Sequence, residues 1–456
     1  MKKGLFTLLL LAFVVGAMGK SPKYVFYFIG DGMGPSHVLG TELFLGEKQG
    51  TIGRPAPLCF TQFPATAFVT TFSASNGVTD SAASGTALAT GEKTTNGYIG
   101  ANPAGEPLYS VAHAAKEAGF AVGVATTVCI NHATPGAFYA HNKSRNNYHD
   151  IACEMLTAGY DFYAGGDAKC SDSQREALYS KAQQDGYTIA RGYSDYTQKA
   201  AGAKKMMLYQ KEVNEGIPYT IDRTPEDLTL AQITDAAIDF LGKKSKKGFF
   251  LMVEGGKIDY ASHSDDAATM FHEMLDFNAA IERAVEFYKK NPKETLIVVT
   301  ADHETGGLVL GYSGAYALNL KALDCQKASE DKLKSIMRTK AMQRMPLAWN
   351  DIKEVIKEYT GLWGALTPSN SEEQYMKRLF EEGEGNPQKR VEKFEAIATV
   401  AKNAVNRIAL VSWAGPNHSG TFVPLFAIGQ QADKFHGVID NTDIPKTIKK
   451  IAGYSK

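Results

Sequence analysis

Neither sign of charge prevails in this chain of 456 residues, where 49 Lys and Arg face 49 Asp and Glu. It has no basic excess to mark a nucleic-acid binder and no acidic excess to mark a solvating tail. Cysteine is scarce. The five residues are Cys59, Cys129, Cys153, Cys170 and Cys325, an odd number that cannot pair fully within one chain. None forms a C-x-x-C pair, which leaves a cysteine-based zinc site unsupported. Cys153 and Cys170 could close one loop, but a chain this long does not depend on disulfides. Internal repeats and low-complexity tracts are absent, and no membrane-spanning run follows the first residues. What is present is ordinary globular composition, 44% hydrophobic and 21% charged. That excludes a disordered, collagen-like or multi-span membrane protein and provides for a large core.

Residues 1–19 stand apart. Lys2 and Lys3 are followed by the largely apolar run Leu5–Val15, too short to span a bilayer, and then by Ala17-Met18-Gly19. This is the pattern of a secretory signal peptide. It predicts a periplasmic or secreted bacterial protein with no stable membrane anchor after cleavage. No Cys follows the apolar run to take a lipid.

Short apolar runs recur along the chain. Tyr24–Ile29, Phe120–Thr127, Phe249–Val253, Leu296–Thr300 and Phe422–Ile428 read as strands buried on both faces. Helical patterns lie between them, at Tyr109–Ala118, Leu230–Leu241 and Ala267–Lys290. Such alternation predicts an α/β domain with a mostly parallel central sheet flanked by helices. Ligands of such sheets sit beyond the carboxyl ends of the strands. From 313 to 412 the chain is charged and helical in pattern, which predicts an insertion into an α/β domain formed by 20–312 and 413–456.

The chemistry-bearing residues follow the apolar runs. Asp31 lies in Gly30-Asp31-Gly32-Met33-Gly34, after the first. Glu254, Asp259 and His263 follow Phe249–Val253; Asp302 and His303 follow Leu296–Thr300; His418 follows Trp413–Pro416. If the strands are parallel neighbours, these carboxylates and imidazoles converge on one rim. Mixed oxygen and nitrogen donors suit zinc, and an oxygen-rich corner suits magnesium. Glu304 reads as supporting rather than ligating.

A nucleophile candidate lies in Val78-Thr79-Asp80-Ser81-Ala82-Ala83-Ser84, where Asp80 and the small residues read as a helix start. A serine there meets backbone amides and a dipole that favours anions. Ser81, Ser84 and Thr79 are rival hydroxyls. No G-x-S-x-G surrounds them, so a metal would have to activate the serine. Thr134 lies in Asn131-His132-Ala133-Thr134-Pro135, and Arg145 follows in a polar stretch. A guanidinium is a natural clamp for two phosphate oxygens.

Taken together these motifs resemble the metal-dependent alkaline phosphatase family. They are Ile29–Gly34, Val78–Ser84, His132–Pro135, Val253-Glu254-Gly255 with Ile258-Asp259 and His263, Thr300–Gly307, and His418-Ser419-Gly420, in the family's order. The resemblance implies a phosphomonoesterase. In it Ser81 is the nucleophile that becomes phosphoserine, and Arg145 binds the phosphoryl group. It also implies two zinc ions per chain, one held by Asp259, His263 and His418 and the other by Asp31, Asp302 and His303. One magnesium ion would be held by Asp31, Thr134 and Glu254. The 313–412 stretch falls where the family carries its crown region, and members are commonly homodimers.

Two positions depart from some relatives. His132 stands where some bacterial members carry Asp beside magnesium, which implies a weaker or water-mediated contact. Tyr260 stands where some carry a basic residue near the phosphate, which implies weaker product binding. Related rivals are a sulfatase or a phosphodiesterase. The first expects a C/S-x-P-x-R context, where this chain has Ala83 and Gly85. The second usually attacks with Thr and lacks a guanidinium at the Arg145 position. A metal- or phosphate-binding protein without turnover is the rival of another class, opposed by the full ligand set together with Ser81.

Overall fold

A strand covered on both faces must be apolar throughout, and Val25 to Ile29 are all fully buried. In the computed structural model, which describes residues 20–312, 314–343 and 347–454, this strand lies near the middle of a ten-stranded sheet. The signal-peptide reading of 1–19 lies outside the described residues. The strands of this sheet are β1 (Tyr24–Ile29), β2 (Ala65–Thr70), β3 (Ala121–Cys129), β4 (Phe162–Gly166), β5 (Tyr187–Arg191), β6 (Lys205–Tyr209), β7 (Phe249–Glu254) and β8 (Thr295–Thr300). Four two-residue strands follow, β9 (Glu304–Thr305), β10 (Val309–Leu310), β11 (Val411–Ser412) and β12 (His418–Ser419), and then β13 (Val423–Gly429) and β14 (Gly437–Asp440). The main sheet runs β14-β2-β13-β8-β1-β7-β3-β4-β6-β5.

The sheet is mostly parallel and flanked by helices. The exception is β13, which runs antiparallel to both β8 and β2. The register fixes the working rim. Ile29 at the end of β1 stands opposite Glu254 of β7 and Thr300 of β8, and Thr126 of β3 is also level with Glu254. Residues just beyond these ends therefore emerge side by side, as the rule for open α/β sheets requires. His418 departs from the expected pattern. It does not follow a strand of the main sheet but sits in β12, which pairs antiparallel with β9 and sets His418 opposite Thr305.

Two helices match the sequence periodicity at both ends, Leu230–Leu241 and Ala267–Lys290. Each is started by a side chain that accepts a backbone N–H, Thr229 in the first and Asp266 in the second. The described residues of 313–412 carry the helices Glu330–Ala341, Trp349–Thr360, Asn370–Gly385 and Arg390–Ala409, and β11 at the end pairs with β10. Cys153 and Cys170 are both free thiols, so the loop they could have closed is not formed. Among the described residues no helix is long and apolar enough to cross a membrane.

Candidate active site

Small side chains let the helix Ser81–Thr90 sink into the protein, where all of its residues but the last are buried. Gly85 shows how tightly. A Cβ there would stand 3.2 Å from the Thr134 backbone, on the short helix Ala133–Gly136. Asp80 caps the helix by accepting from the Ala83 N–H at 3.0 Å. Ser81 is the first helical residue, and its Oγ lies 3.2 Å from His303 Nε2. The rival hydroxyls are committed elsewhere. Ser84 donates to the Asp302 carbonyl at 2.6 Å and accepts from Asn441 at 3.0 Å, and Thr79 donates to the Asp80 carbonyl. Ser84→Ala is therefore expected to cost about 1–3 kcal/mol, because it orphans a buried carbonyl and a buried amide. Chemical denaturation should show this as a lower midpoint with an unchanged slope.

Around Ser81 the rim brings together Asp31, Glu254, Asp259, Asp302, His303 and His418, with His263 beside Asp259 and His418 but in none of the tight donor groups. His303 Nε2 is 3.3 Å from Asp302 Oδ2 and 3.5 Å from Asp31 Oδ1. His263 Nε2 is 3.3 Å from Asp259 Oδ2 and 3.2 Å from His418 Nε2. Three groups have donor atoms close enough to share an ion: Asp259, His303 and His418; Asp31, Asp302 and His303; Asp31, His132 and Glu254. Thr134 offers a buried hydroxyl with no hydrogen-bond partner.

The tautomers follow from the hydrogen bonds. His263 Nδ1 donates to the Pro416 carbonyl at 2.5 Å, and His418 Nδ1 donates to the Thr79 carbonyl at 2.9 Å. Thr305 gives its own hydrogen to Asp259 Oδ1 at 2.5 Å, so at 3.2 Å it accepts from His303 Nδ1. His303 and His418 thus turn a bare Nε2 toward the centre, the usual arrangement of metal-binding histidines, whereas the hydrogen bond and charge of Asp259 push His263 up to about 9 and leave a proton on its Nε2 that a cation would displace.

Electrostatics lead to the same conclusion. Burial, followed by the charges of Asp302, Asp259 and Glu254, pushes Asp31 well above the usual carboxylate range. Burial and neighbouring carboxylates push Asp302 up to about 7 and Glu254 up to about 8. Burial opposes the charge of Asp259 too, but the His263 hydrogen bond and the nearby imidazoles hold it below its ordinary value. Burial keeps His303 neutral, and its Nε2 therefore keeps a lone pair. Both oxygens of Asp31, Oε1 of Glu254 and Oδ2 of Asp302 are buried with no hydrogen-bond partner. Acceptors so crowded and unpaired fit cations: without positive charge among them they are expensive to bury.

Arg145 approaches from the open side. Its guanidinium donates to Asp80 at 3.1 Å and stands 3.1 Å from His132 Nε2. Burial opposes its charge, but Asp80 more than offsets this and keeps it cationic. The Tyr260 ring packs edge-on against His132, with centroids 5.8 Å apart.

The alkaline phosphatase family model matches residues 22–454. The chain belongs to the alkaline phosphatase family. It is an enzyme, a hydrolase of the alkaline phosphatase type. Alkaline phosphatase 3 of Bacillus subtilis (strain 168) is 32% identical over 446 residues, covering 95% of this chain and 89% of that protein. The crystal structure of a cold-active alkaline phosphatase from a psychrophilic Shewanella sp. is 31% identical, with a TM-score of 0.81, covering 95% of this chain and 100% of that one. A structure of TAB5 alkaline phosphatase, a histidine-to-glutamate mutant with Mg bound in the M3 site, is 26% identical with a TM-score of 0.67, covering 96% of this chain and 99% of that one.

Three supporting residues of this family member escaped the sequence reading. Asp80 was legible as a cap but not as the partner of Arg145. Thr305 links Asp259 to His303. Thr126 donates to Glu254 Oε2. The register of β3 against β7 would have revealed Thr126, had that register been readable.

Proposed function

We propose that this family member hydrolyses phosphate monoesters through a phosphoserine on Ser81, at a centre taking two zinc ions and one magnesium ion per chain. The observation that carries the reading is the position of the Ser81 hydroxyl. It opens a helix, 3.2 Å from His303, on a pocket of buried carboxylate oxygens that lack partners. One zinc would be held by Asp259, His263 and His418, the other by Asp31, Asp302 and His303. Magnesium would be held by Asp31, Thr134 and Glu254, with His132 beside it. Oxygen and imidazole donors favour zinc in the first two sets and hard oxygens favour magnesium in the third. When bound, the ions supply Lewis-acid stabilisation of charge on the attacking and departing oxygens.

The chain's own residues do the rest. Ser81 Oγ, losing its proton, attacks phosphorus as the bond to the alcohol oxygen breaks, and the alcohol leaves with a proton. Water then attacks phosphoserine, releasing inorganic phosphate and restoring Ser81. Arg145 presents its planar fork to two non-bridging oxygens, and Asp80 holds the fork in place. The helix N-terminus favours the anion throughout. Tyr260 adds no charge, which favours phosphate release.

The 313–412 stretch is read as a crown-type helical insertion in an α/β catalytic body of 20–312 and 413–456. Export to the periplasm or beyond, and a homodimeric state, are the readings its sequence and family support.

The rivals make different demands. A diester or a sulfate ester offers one fewer anionic oxygen than a phosphate monoester. With Arg145 and the ions arranged for a dianion, kcat/KM for p-nitrophenyl phosphate is expected to exceed that for bis-p-nitrophenyl phosphate and p-nitrophenyl sulfate at least about a hundredfold, ~3 kcal/mol. A preference for either of the others overturns the monoester reading.

A further inference from the structure

His263 is the last residue of the helix Lys257–His263, and its side chain is the most exposed of the site imidazoles, at 38%. Its own helix therefore restrains it from one side only. The turn that follows is unusual. Asp265 holds φ of 51°, the left-handed region that glycine normally fills. Its N–H donates to the Ser262 carbonyl at 3.0 Å, and that of Asp266 to the Ala261 carbonyl at 2.9 Å, closing the helix end.

What over-determines this turn comes from 313–412. Lys402, almost wholly buried, donates to the Ser264 carbonyl at 2.6 Å and the Asp265 carbonyl at 3.2 Å. Asn406, one turn along the same helix, donates to the Asp265 carbonyl at 2.6 Å. Glu330 lies 3.3 Å from the Lys402 ammonium and is tied to Lys334 and Thr399 as well. The next residue is gripped too: Asp266 accepts from Gln326 at 2.8 Å and from the Glu330 N–H at 2.9 Å. A buried ammonium spent on two main-chain carbonyls is a costly device for merely joining helices. A non-glycine residue in the left-handed region persists where its surroundings impose it, and such residues cluster at functional sites.

We propose that Lys402 is a positioning residue for His263: by clamping the Ser264–Asp265 turn it fixes where the imidazole meets its zinc ion. The proposal rests on the reading of His263 as a zinc ligand. It gives the helical stretch a role in the metal centre, exerted through the turn that follows His263.

The test is zinc release from the zinc-loaded full chain to a chromophoric chelator, with folding followed by circular dichroism. In Lys402→Met one of the two zinc ions is expected to leave about tenfold faster, the scale on which supporting partners of metal ligands act. Asp265→Gly in the Lys402→Met background should recover part of the slow rate, because glycine enters the left-handed turn without the steric cost that Asp265 carries. Glu330→Gln keeps the ammonium on both carbonyls, so it should lower Tm without speeding release. Wild-type release from folded Lys402→Met, or equal acceleration by Glu330→Gln, overturns the proposal. If Lys402→Met does not fold, Asn406→Leu decides: faster release sustains the clamp, and a wild-type rate overturns it. His263→Ala is the control. If it releases both ions at the wild-type rate, the ligand assignment fails and the proposal falls with it. If only the Lys402 variant is unaffected, the assignment stands and the clamp alone is wrong.

Discussion

Ser81→Ala is expected to lower kcat on p-nitrophenyl phosphate by about a thousandfold or more, ~4 kcal/mol of transition-state stabilisation, with zinc and magnesium content unchanged. The Ser81 hydroxyl opens its helix 3.2 Å from His303, and Ser84 and Thr79 point their hydrogens at carbonyls. Ser84→Ala should therefore leave most of kcat intact. Rapid quenching with labelled substrate should trap a phosphorylated wild-type chain and none from Ser81→Ala. A Ser81→Ala enzyme that turns over at the wild-type rate overturns the phosphoserine mechanism.

Exhaustive chelation should have an effect as large, on two quantities at once. The rate is expected to fall to background and return when zinc and magnesium are added back together. Thermal stability should fall with it. An ion present at about a thousandfold its Kd contributes ~4 kcal/mol to the folded state, and its loss lowers Tm by several degrees. The structural reason is the set of unpaired buried oxygens on Asp31, Glu254 and Asp302, which must repel one another or take up protons once the cations are gone. Scanning calorimetry before and after chelation measures this. An unchanged Tm and an unchanged rate would remove the metal centre from the mechanism.

How far the molecule was legible in its sequence depended on burial. β1, β7 and β8 are covered on both faces and read as unbroken apolar runs. β2 is covered on one face only, with Phe68 turned outward, and β4 carries Ala and Gly where a strand usually carries branched residues. Neither stands out from its neighbours in the chain. β14 is short, and Val438 in it is exposed. The ligand candidates were readable because acidic and imidazole groups just past buried strands need partners. The choice between Ser81 and Ser84 was not readable from the residues themselves. They lie three apart on one helix of small residues, and only the fold shows that one faces His303 while the other is bonded to Asp302. The supporting shell was hidden for the same reason. Thr126, Thr305 and Lys402 act through registers and packing that no local pattern encodes.

The late return of the chain has a consequence for synthesis. His418 is delivered by β12 only after the 313–412 stretch has been made, and the Asn441 amide that holds Ser84 comes later still. A ribosome that has finished the nucleophile helix, Arg145 and the three carboxylate-bearing strands β1, β7 and β8 has still produced a chain without His418. Hydrolytic power arrives at one moment, near the close of translation or after it.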